Sequence, residues 1–171
     1  SQEIKDLATA IGSLPGDTDT SNLRYGKICI LADADSDGLH IATLLCALFL
    51  RHYKNLVTSG KIFVSMPPLY RIDAAKEVFY ALDENEKESI VKRIKKQNSK
   101  IKIDIQRFKG LGEMNPSQLR ETVMKPESRR LVQLTLNSSD NANSVFDLLL
   151  SKKRAPDRKE WLEKKGNLAE I

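Results

Sequence analysis

The chain has 171 residues, of which 40% are hydrophobic and 30% charged, so it can bury a core in one or two globular domains. Its net charge of +5 suits a polyanionic partner, although a basic surface facing solvent explains it equally well. The longest apolar run, residues 41–50, is far shorter than the ~20 residues of a membrane span, which excludes a membrane helix there.

The two cysteines, Cys29 and Cys46, both lie in apolar segments. Two thiols do not make a disulfide framework, so we predict that both are buried and free. Free thiols fit a reducing compartment, and no signal-peptide pattern opens the chain. We therefore expect a cytoplasmic protein.

The first part of the chain predicts a βαβ unit. Residues 2–11 have the apolar spacing of a helix. Residues 27–32 and 61–66 read as buried strands, and the mostly apolar residues 39–57 between them read as a helix. Strands joined in this way run parallel, and functional sites of such sheets lie at the carboxyl ends of strands.

Shorter elements follow Pro67 and Pro68. Strands are predicted at residues 69–73, 77–82, 101–106 and 130–136, and helices at 84–96, 143–150 and 156–165. Asp83 and Glu86 predict a capping box for the first of these helices. A further helix is predicted after Asn115, with Pro116 as its first residue. The sequence thus predicts an α/β fold that continues into an α+β region.

Three carboxylates follow the first predicted strand within five residues: Asp33, Asp35 and Asp37. Two like charges about 4 Å apart repel by roughly 4 kcal/mol at an effective dielectric near 20. The cluster therefore indicates a bound proton or cation, and oxygen ligands favour Mg²⁺, with Mn²⁺ or Ca²⁺ able to substitute in binding. We predict a metal site for phosphoryl chemistry. His40 is either a donor to phosphate or a packed side chain.

Three alternatives to this metal site fit the acidic stretch less well. A calcium-binding EF-hand needs Glu at the twelfth loop position, where Leu44 stands. A phosphatase whose strand ends in Asp-x-Asp expects Thr or Val where Asp37 stands. The aspartates could also simply cap the following helix. A Mg²⁺-dependent phosphatase, and a module that binds DNA or another subunit without metal chemistry, remain as alternative functions.

A second cluster, Arg-Phe-Lys-Gly-Leu-Gly-Glu at residues 107–113, combines two glycines with Arg107 and Lys109. Gly110 and Gly112 permit a close backbone approach, so Lys109 and nearby N–H groups can contact phosphate. The plainer alternative is a tight connection between a strand and a helix.

The segments LADADSDGLH (residues 31–40), MPPLY (66–70), RFKGLGEMNP (107–116) and RRLVQL (129–134) occur in this order. Together they resemble the C-terminal part of the B subunit of bacterial type IIA DNA topoisomerases, and the likeness covers essentially the whole chain. Within that family, the segment SDGLHIATLL (residues 36–45) is more similar to topoisomerase IV than to gyrase.

The resemblance implies part of a Toprim domain, a Rossmann-like parallel sheet with flanking helices, at residues 1–73, and an α+β tail region at residues 74–171. Asp33 and Asp35 match the Asp pair of the Toprim metal site, and Asp37 matches its third acidic position. The family's site also uses a Glu on an earlier strand, which has no match here. We therefore expect the chain to begin inside the Toprim domain.

The resemblance also implies an activity. The family cuts duplex DNA, passes another duplex through and reseals the break, in an ATP-dependent A2B2 heterotetramer that decatenates and relaxes DNA. Mg²⁺ on Asp33 and Asp35 would act on the phosphate, while the nucleophilic Tyr belongs to the A subunit of topoisomerase IV. His40, Arg107 and Lys109 are the expected contacts with DNA or that partner. ATP would bind only in a missing N-terminal region. Because the Glu of the metal site has no match either, this fragment alone is expected to be inactive.

Overall fold

The computed structural model describes residues 1–137 and 141–168 and confirms the mixed α/β fold. The helices are α1 (Gln2–Ile11), α2 (Ser36–His52), α3 (Lys54–Thr58), α4 (Glu84–Gln97), α5 (Pro116–Leu119), α6 (Ala142–Leu150) and α7 (Ala155–Lys165). The strands are β1 (Ile28–Ile30), β2 (Ile62–Ser65), β3 (Tyr70–Ala74), β4 (Glu77–Ala81), β5 (Ile103–Arg107) and β6 (Leu131–Gln133). Among these described residues, no helix is long and apolar enough to cross a membrane.

The strands form two three-stranded sheets in the described ranges. In the first sheet, ordered β1-β2-β6, β1 and β2 are parallel, which confirms the predicted βαβ unit, and β6 is antiparallel to β2. The second sheet, ordered β4-β3-β5, is antiparallel throughout. Because β1 lies at a sheet edge, Cys29 is exposed, so its predicted burial is wrong. Cys46 is half-buried, and both thiols are free as predicted.

Contacts between residues divide the chain into two compact units. The first unit contains residues 1–24, residues 46–60 and the described residues from Thr135 onward. The second unit contains residues 25–45 and 61–134. The domain boundary between residues 73 and 74 follows from the family resemblance and stays a prediction.

In the first unit, helix α1 has the predicted bounds because Gly12 ends it. Gly12 adopts a φ of 76° and donates its N–H to the carbonyl oxygen of Ala8 at 3.0 Å, as expected for a glycine cap. The helix predicted over residues 39–57 is instead two helices, since Tyr53 leaves the helical region with a φ of −134° between α2 and α3. The Tyr53 ring is buried beside Phe49, with centroids 5.5 Å apart.

In the second unit, the antiparallel sheet packs one face against α4. The core of this layer is formed by Tyr70, Ile72, Ala74, Ala81 and Ile94. Asp83 caps α4 as predicted, because its carboxylate accepts the N–H of Glu86 at 2.8 Å. The Glu86 carboxylate reaches back to the N–H of Leu82 at 2.7 Å, so the box closes one residue earlier than the usual pattern.

Candidate functional site

The acidic loop, residues 33–38, leads from the carboxyl end of β1 into α2. Helix α2 begins at Ser36, three residues before the predicted start, because Asp35 caps it. Its Oδ1 accepts the N–H of Gly38 at 2.7 Å, and its carbonyl oxygen accepts that of Leu39 at 3.0 Å. Capping therefore occupies one carboxylate oxygen of Asp35.

Gly38 packs directly against the backbone of Asp33. A Cβ at this position would overlap the Asp33 carbonyl oxygen and lie 2.8 Å from the Asp33 amide nitrogen. Since no side chain fits in that space, the glycine that follows the three aspartates is a packing requirement of the loop.

The glycine loop, residues 107–113, ends β5 and carries a short 3-10 turn, Leu111–Glu113. The buried residue Phe108 donates its N–H to the carbonyl oxygen of Leu69 at 2.8 Å. The N–H of Lys109 donates to Oε2 of Glu113 at 2.7 Å. These bonds anchor the loop beside β3 and close it on itself.

The acidic loop and the glycine loop meet at Asp33. The N–H of Leu111 donates to Oδ1 of Asp33 at 2.7 Å, although 78 positions separate the two residues. Gly110 lies against the same carboxylate, where a Cβ would be 3.1 Å from Cγ and 3.2 Å from each carboxylate oxygen of Asp33. Sequence reasoning named both loops but missed this contact, because no local pattern carries it.

The predicted site side chains lie on the surface. The exposed residues among them are Asp33, Asp35, Asp37, His40, Arg107 and Lys109, which is the whole predicted set. Within residues 1–137 and 141–168, the side chains of Asp37, His40 and Lys109 form no hydrogen bond or ion pair, and neither does that of Arg107. The exposure of His40 argues against its being a packed side chain. All four side chains are therefore accessible to a partner.

The donor set suits a hard cation in an open site rather than a closed cage. In the described part of the chain, no three His, Cys, Asp or Glu side chains lie close enough to hold a metal ion. Mg²⁺ is commonly held by only one or two carboxylates, with water and substrate phosphates completing its shell. Asp33 and Asp35 each have one oxygen bonded to a backbone N–H, and the second oxygen of each accepts no hydrogen bond from the described residues, so it is open to such an ion. Metal binding by Asp33, Asp35 and Asp37 stays a prediction.

A cavity of about 190 Å³ lies beside Asp33, at the carboxyl ends of β1 and β2. Its mainly apolar lining includes Leu39, Val64 and Ser65. The Ser65 hydroxyl is buried and has no hydrogen-bond partner among the residues described. The sequence placed Ser65 in a buried strand and contained nothing that would predict the cavity.

Arg130 forms two hydrogen bonds with the carboxylate of Glu86, at 2.6 and 2.9 Å. Arg130 thereby lowers the pKa of Glu86 from its ordinary value, an effect that the partial burial of Glu86 opposes. The pair connects the residue before β6 with α4, so it braces the two sheets of the second unit. The sequence pattern placed Arg130 in a strand and indicated no partner for it.

This chain is similar to the B subunits of bacterial DNA topoisomerase 4 and DNA gyrase. Residues 100–163 match the family model described as "DNA gyrase B subunit, carboxyl terminus". The chain is 62% identical over 171 residues to the B subunit of DNA topoisomerase 4 from Pseudomonas aeruginosa, and 63% identical over 175 residues to that from Haemophilus influenzae. Both matches include 100% of this chain and 27% of the relative. The chain thus spans about a quarter of the length of these curated relatives.

A gyrase protein is a more distant match. The chain is 42% identical over 164 residues to the B subunit of DNA gyrase from Thermotoga maritima, which includes 95% of this chain and 25% of that relative. These matches confirm the resemblance seen in its motifs to the B subunits of bacterial DNA topoisomerases. Within that class, its sequence is nearer to the B subunit of topoisomerase 4 than to that of gyrase.

Proposed function

We propose that this chain is the part of a type II topoisomerase B subunit that supplies carboxylates to the DNA cleavage site. The observation that carries the proposal is the placement of Asp33. Its carboxylate is exposed at the carboxyl end of β1, and a backbone N–H from the glycine loop holds one of its oxygens. Carboxyl ends of strands are where α/β sheets bind ligands.

Asp33 and Asp35 are the residues that would hold Mg²⁺, with Asp37 as a third, and Mn²⁺ or Ca²⁺ could substitute in binding. When bound, the ion would supply a positive charge that stabilises a phosphodiester during transfer. The chain's own groups prepare that site. The N–H groups of Gly38 and Leu111 orient the two carboxylates, and Gly38 lets the loop fold tightly.

Arg107, Lys109 and His40 would contact DNA or the partner A subunit. They are exposed, and Arg107 and Lys109 belong to the same loop that touches Asp33. Cationic side chains of this kind commonly contact phosphate oxygens, which position nucleic acid without reading its sequence. The net charge of +5 also favours a polyanion.

The parent protein would be an ATP-dependent Toprim-containing topoisomerase that works as an A2B2 heterotetramer in the cytoplasm. Its ATP site would lie in another region of the B subunit, and the nucleophilic Tyr in the A subunit of topoisomerase IV. Decatenation and relaxation of DNA would be its activities. This chain by itself would bind Mg²⁺ weakly and would not cleave DNA.

The test uses the complete B subunit, reconstituted with the A subunit, in Mg²⁺-dependent cleavage and decatenation assays. Asp33→Ala should abolish both activities. Asp104→Ala is the matched control, because Asp104 is an exposed aspartate of β5 whose side chain has no hydrogen bond or ion pair among the residues described. Near-normal decatenation by Asp33→Ala would overturn the proposal.

A binding module without metal chemistry is the second candidate. It is favoured by the finding that no three potential ligands converge in the described residues. In that case Mg²⁺ would leave the acidic loop unchanged while DNA or the A subunit still bound. The match along the whole chain favours a topoisomerase over an Asp-x-Asp phosphatase.

A further inference from the structure

The carboxylate of Asp33 is restrained by backbone groups from a distant part of the chain. Its Oδ1 accepts the N–H of Leu111 at 2.7 Å. Across the described residues this is the one hydrogen bond of the Asp33 side chain. An exposed aspartate without such a bond would exchange between its staggered rotamers. The Leu111 N–H therefore favours one of them.

Gly110 leaves the space that the same carboxylate needs. The space that a Cβ would occupy lies 3.1 to 3.2 Å from Cγ, Oδ1 and Oδ2 of Asp33, which is tighter than ordinary van der Waals contact. The backbone of Gly110 is extended, with φ −163° and ψ 173°, so alanine could adopt it. Glycine is needed here for the approach to Asp33 rather than for an unusual backbone conformation.

The donor itself is held in place. Lys109 and Glu113 close the loop with a 2.7 Å bond, and Phe108 is buried and bonded to Leu69. The Leu111 N–H lies at the start of a 3-10 turn, where it has no partner within the turn. A donor that is fixed in this way and bonded to a carboxylate is a preorganised contact.

We propose that Gly110 and Leu111 are positioning residues for Asp33. Leu111 holds the Asp33 carboxylate through the bond to Oδ1 and Gly110 leaves room for it, so that it keeps one orientation in which Oδ2 accepts no hydrogen bond from the described residues. The consequence for divalent cations rests on the proposed function. Partners that orient a metal ligand in this way typically change metal affinity by about 10- to 100-fold when they are removed.

Two matched pairs of variants of this chain test the proposal. Leu111→Pro removes the N–H. Proline is tolerated at the first position of a helical turn, and the extended backbone of Gly110 is compatible with a proline that follows it. Leu111→Ala is its control, since it also loses the side chain but keeps the N–H. Gly110→Ala adds a methyl group against Asp33, whereas Gly112→Ala adds one where no atom lies within 4 Å.

Two properties are measured for each variant. The Hα–Hβ coupling constants of Asp33, without metal, report its rotamer population, and Mn²⁺ titration followed by electron paramagnetic resonance reports cation affinity. We expect one rotamer in the wild type and both controls, and averaged or altered couplings in Leu111→Pro and Gly110→Ala. Mn²⁺ should bind these two at least about 10-fold more weakly than their controls.

The outcomes distinguish the positioning role of Gly110 and Leu111 from the metal site of the proposed function. If each variant matches its control in coupling constants and Mn²⁺ affinity, the positioning role is wrong, while loss of Mn²⁺ binding in Asp33→Ala would keep the metal site. If Mn²⁺ does not bind the wild type but the coupling constants change as expected, the metal site fails and positioning holds. If Leu111→Pro does not fold, the comparison of Gly110→Ala with Gly112→Ala still tests the positioning role.

Discussion

Gly38 leaves no room for a side chain beside Asp33, because a Cβ would overlap the Asp33 carbonyl oxygen. The tight fit joins the start of α2 to the residue that we place in the cleavage site. The loop conformation and the position of the carboxylate are therefore coupled.

Gly38→Ala should destabilise the chain by about 1–3 kcal/mol, the usual cost of overpacking a filled site. Urea unfolding measures the change. Gly112→Ala is the control, because its Cβ would meet open space. That substitution should leave stability unchanged or raise it by up to about 1 kcal/mol, as glycine replacement restricts the unfolded chain. Equal stabilities of the two variants would contradict the packing account.

Two substitutions of Asp35 should distinguish its role as a helix cap from a role in cation binding. Asp35→Asn keeps an oxygen that can accept the Gly38 N–H but removes the charge, whereas Asp35→Ala removes both. We expect Asp35→Ala to lose about 1 kcal/mol of stability and Asp35→Asn much less. Both variants should bind Mn²⁺ more weakly than the wild type. Wild-type Mn²⁺ binding by Asp35→Asn would show that Asp35 only caps the helix.

The Arg130–Glu86 pair should make stability depend on pH. The pKa of Glu86 is lowered by Arg130, so the stabilisation is present above the ordinary value of 4.5 and is lost as the pH falls through the lower folded-state pKa. Both groups are partly exposed, and solvent screening limits the pair to about 1 kcal/mol. Arg130→Ala should therefore cost about 1 kcal/mol at pH 7 in urea unfolding. A cost that stays the same at pH 3 would contradict this assignment.

The two thiols should react at different rates. Cys29 is exposed, whereas Cys46 is half-buried and its pKa is raised by burial. Since the thiolate is the reactive form, a disulfide reagent at pH 8 should give one fast and one slow phase. Cys29→Ser should remove the fast phase and Cys46→Ser the slow one. If Cys46→Ser removed the fast phase instead, Cys29 on β1 would be covered, which would contradict its exposure.

Much of the local structure could be predicted from the sequence. Helix α1 has the predicted bounds, and α5 begins at Pro116 after Asn115 as predicted, because both depend on short-range patterns. The parallel pairing of β1 with β2 follows from a strand, a helix and a strand in order. Each of these features depends on residues close together in the chain or on handedness rules that apply generally.

The errors have physical causes. The helix after the acidic loop was predicted to begin at residue 39, but Asp35 caps the preceding turn, so α2 begins at Ser36. Tyr53 is neither glycine nor proline, so no local sequence signal predicted the break between α2 and α3. The contact of Leu111 with Asp33 joins residues 78 positions apart through a backbone N–H, a group that nearly every residue type carries. Only the folded chain could show that contact.

The most direct measurement is a Mg²⁺ titration of the ¹⁵N-labelled chain, followed by the backbone amide signals of residues 33–40 and of Leu111. The account predicts saturable shifts at these residues in the wild type, with a weak midpoint. Asp104→Ala should show the same shifts, and Asp33→Ala should show none. Unchanged signals in the wild type, or equal shifts in Asp33→Ala, would contradict the claim that Asp33 is part of a cation site.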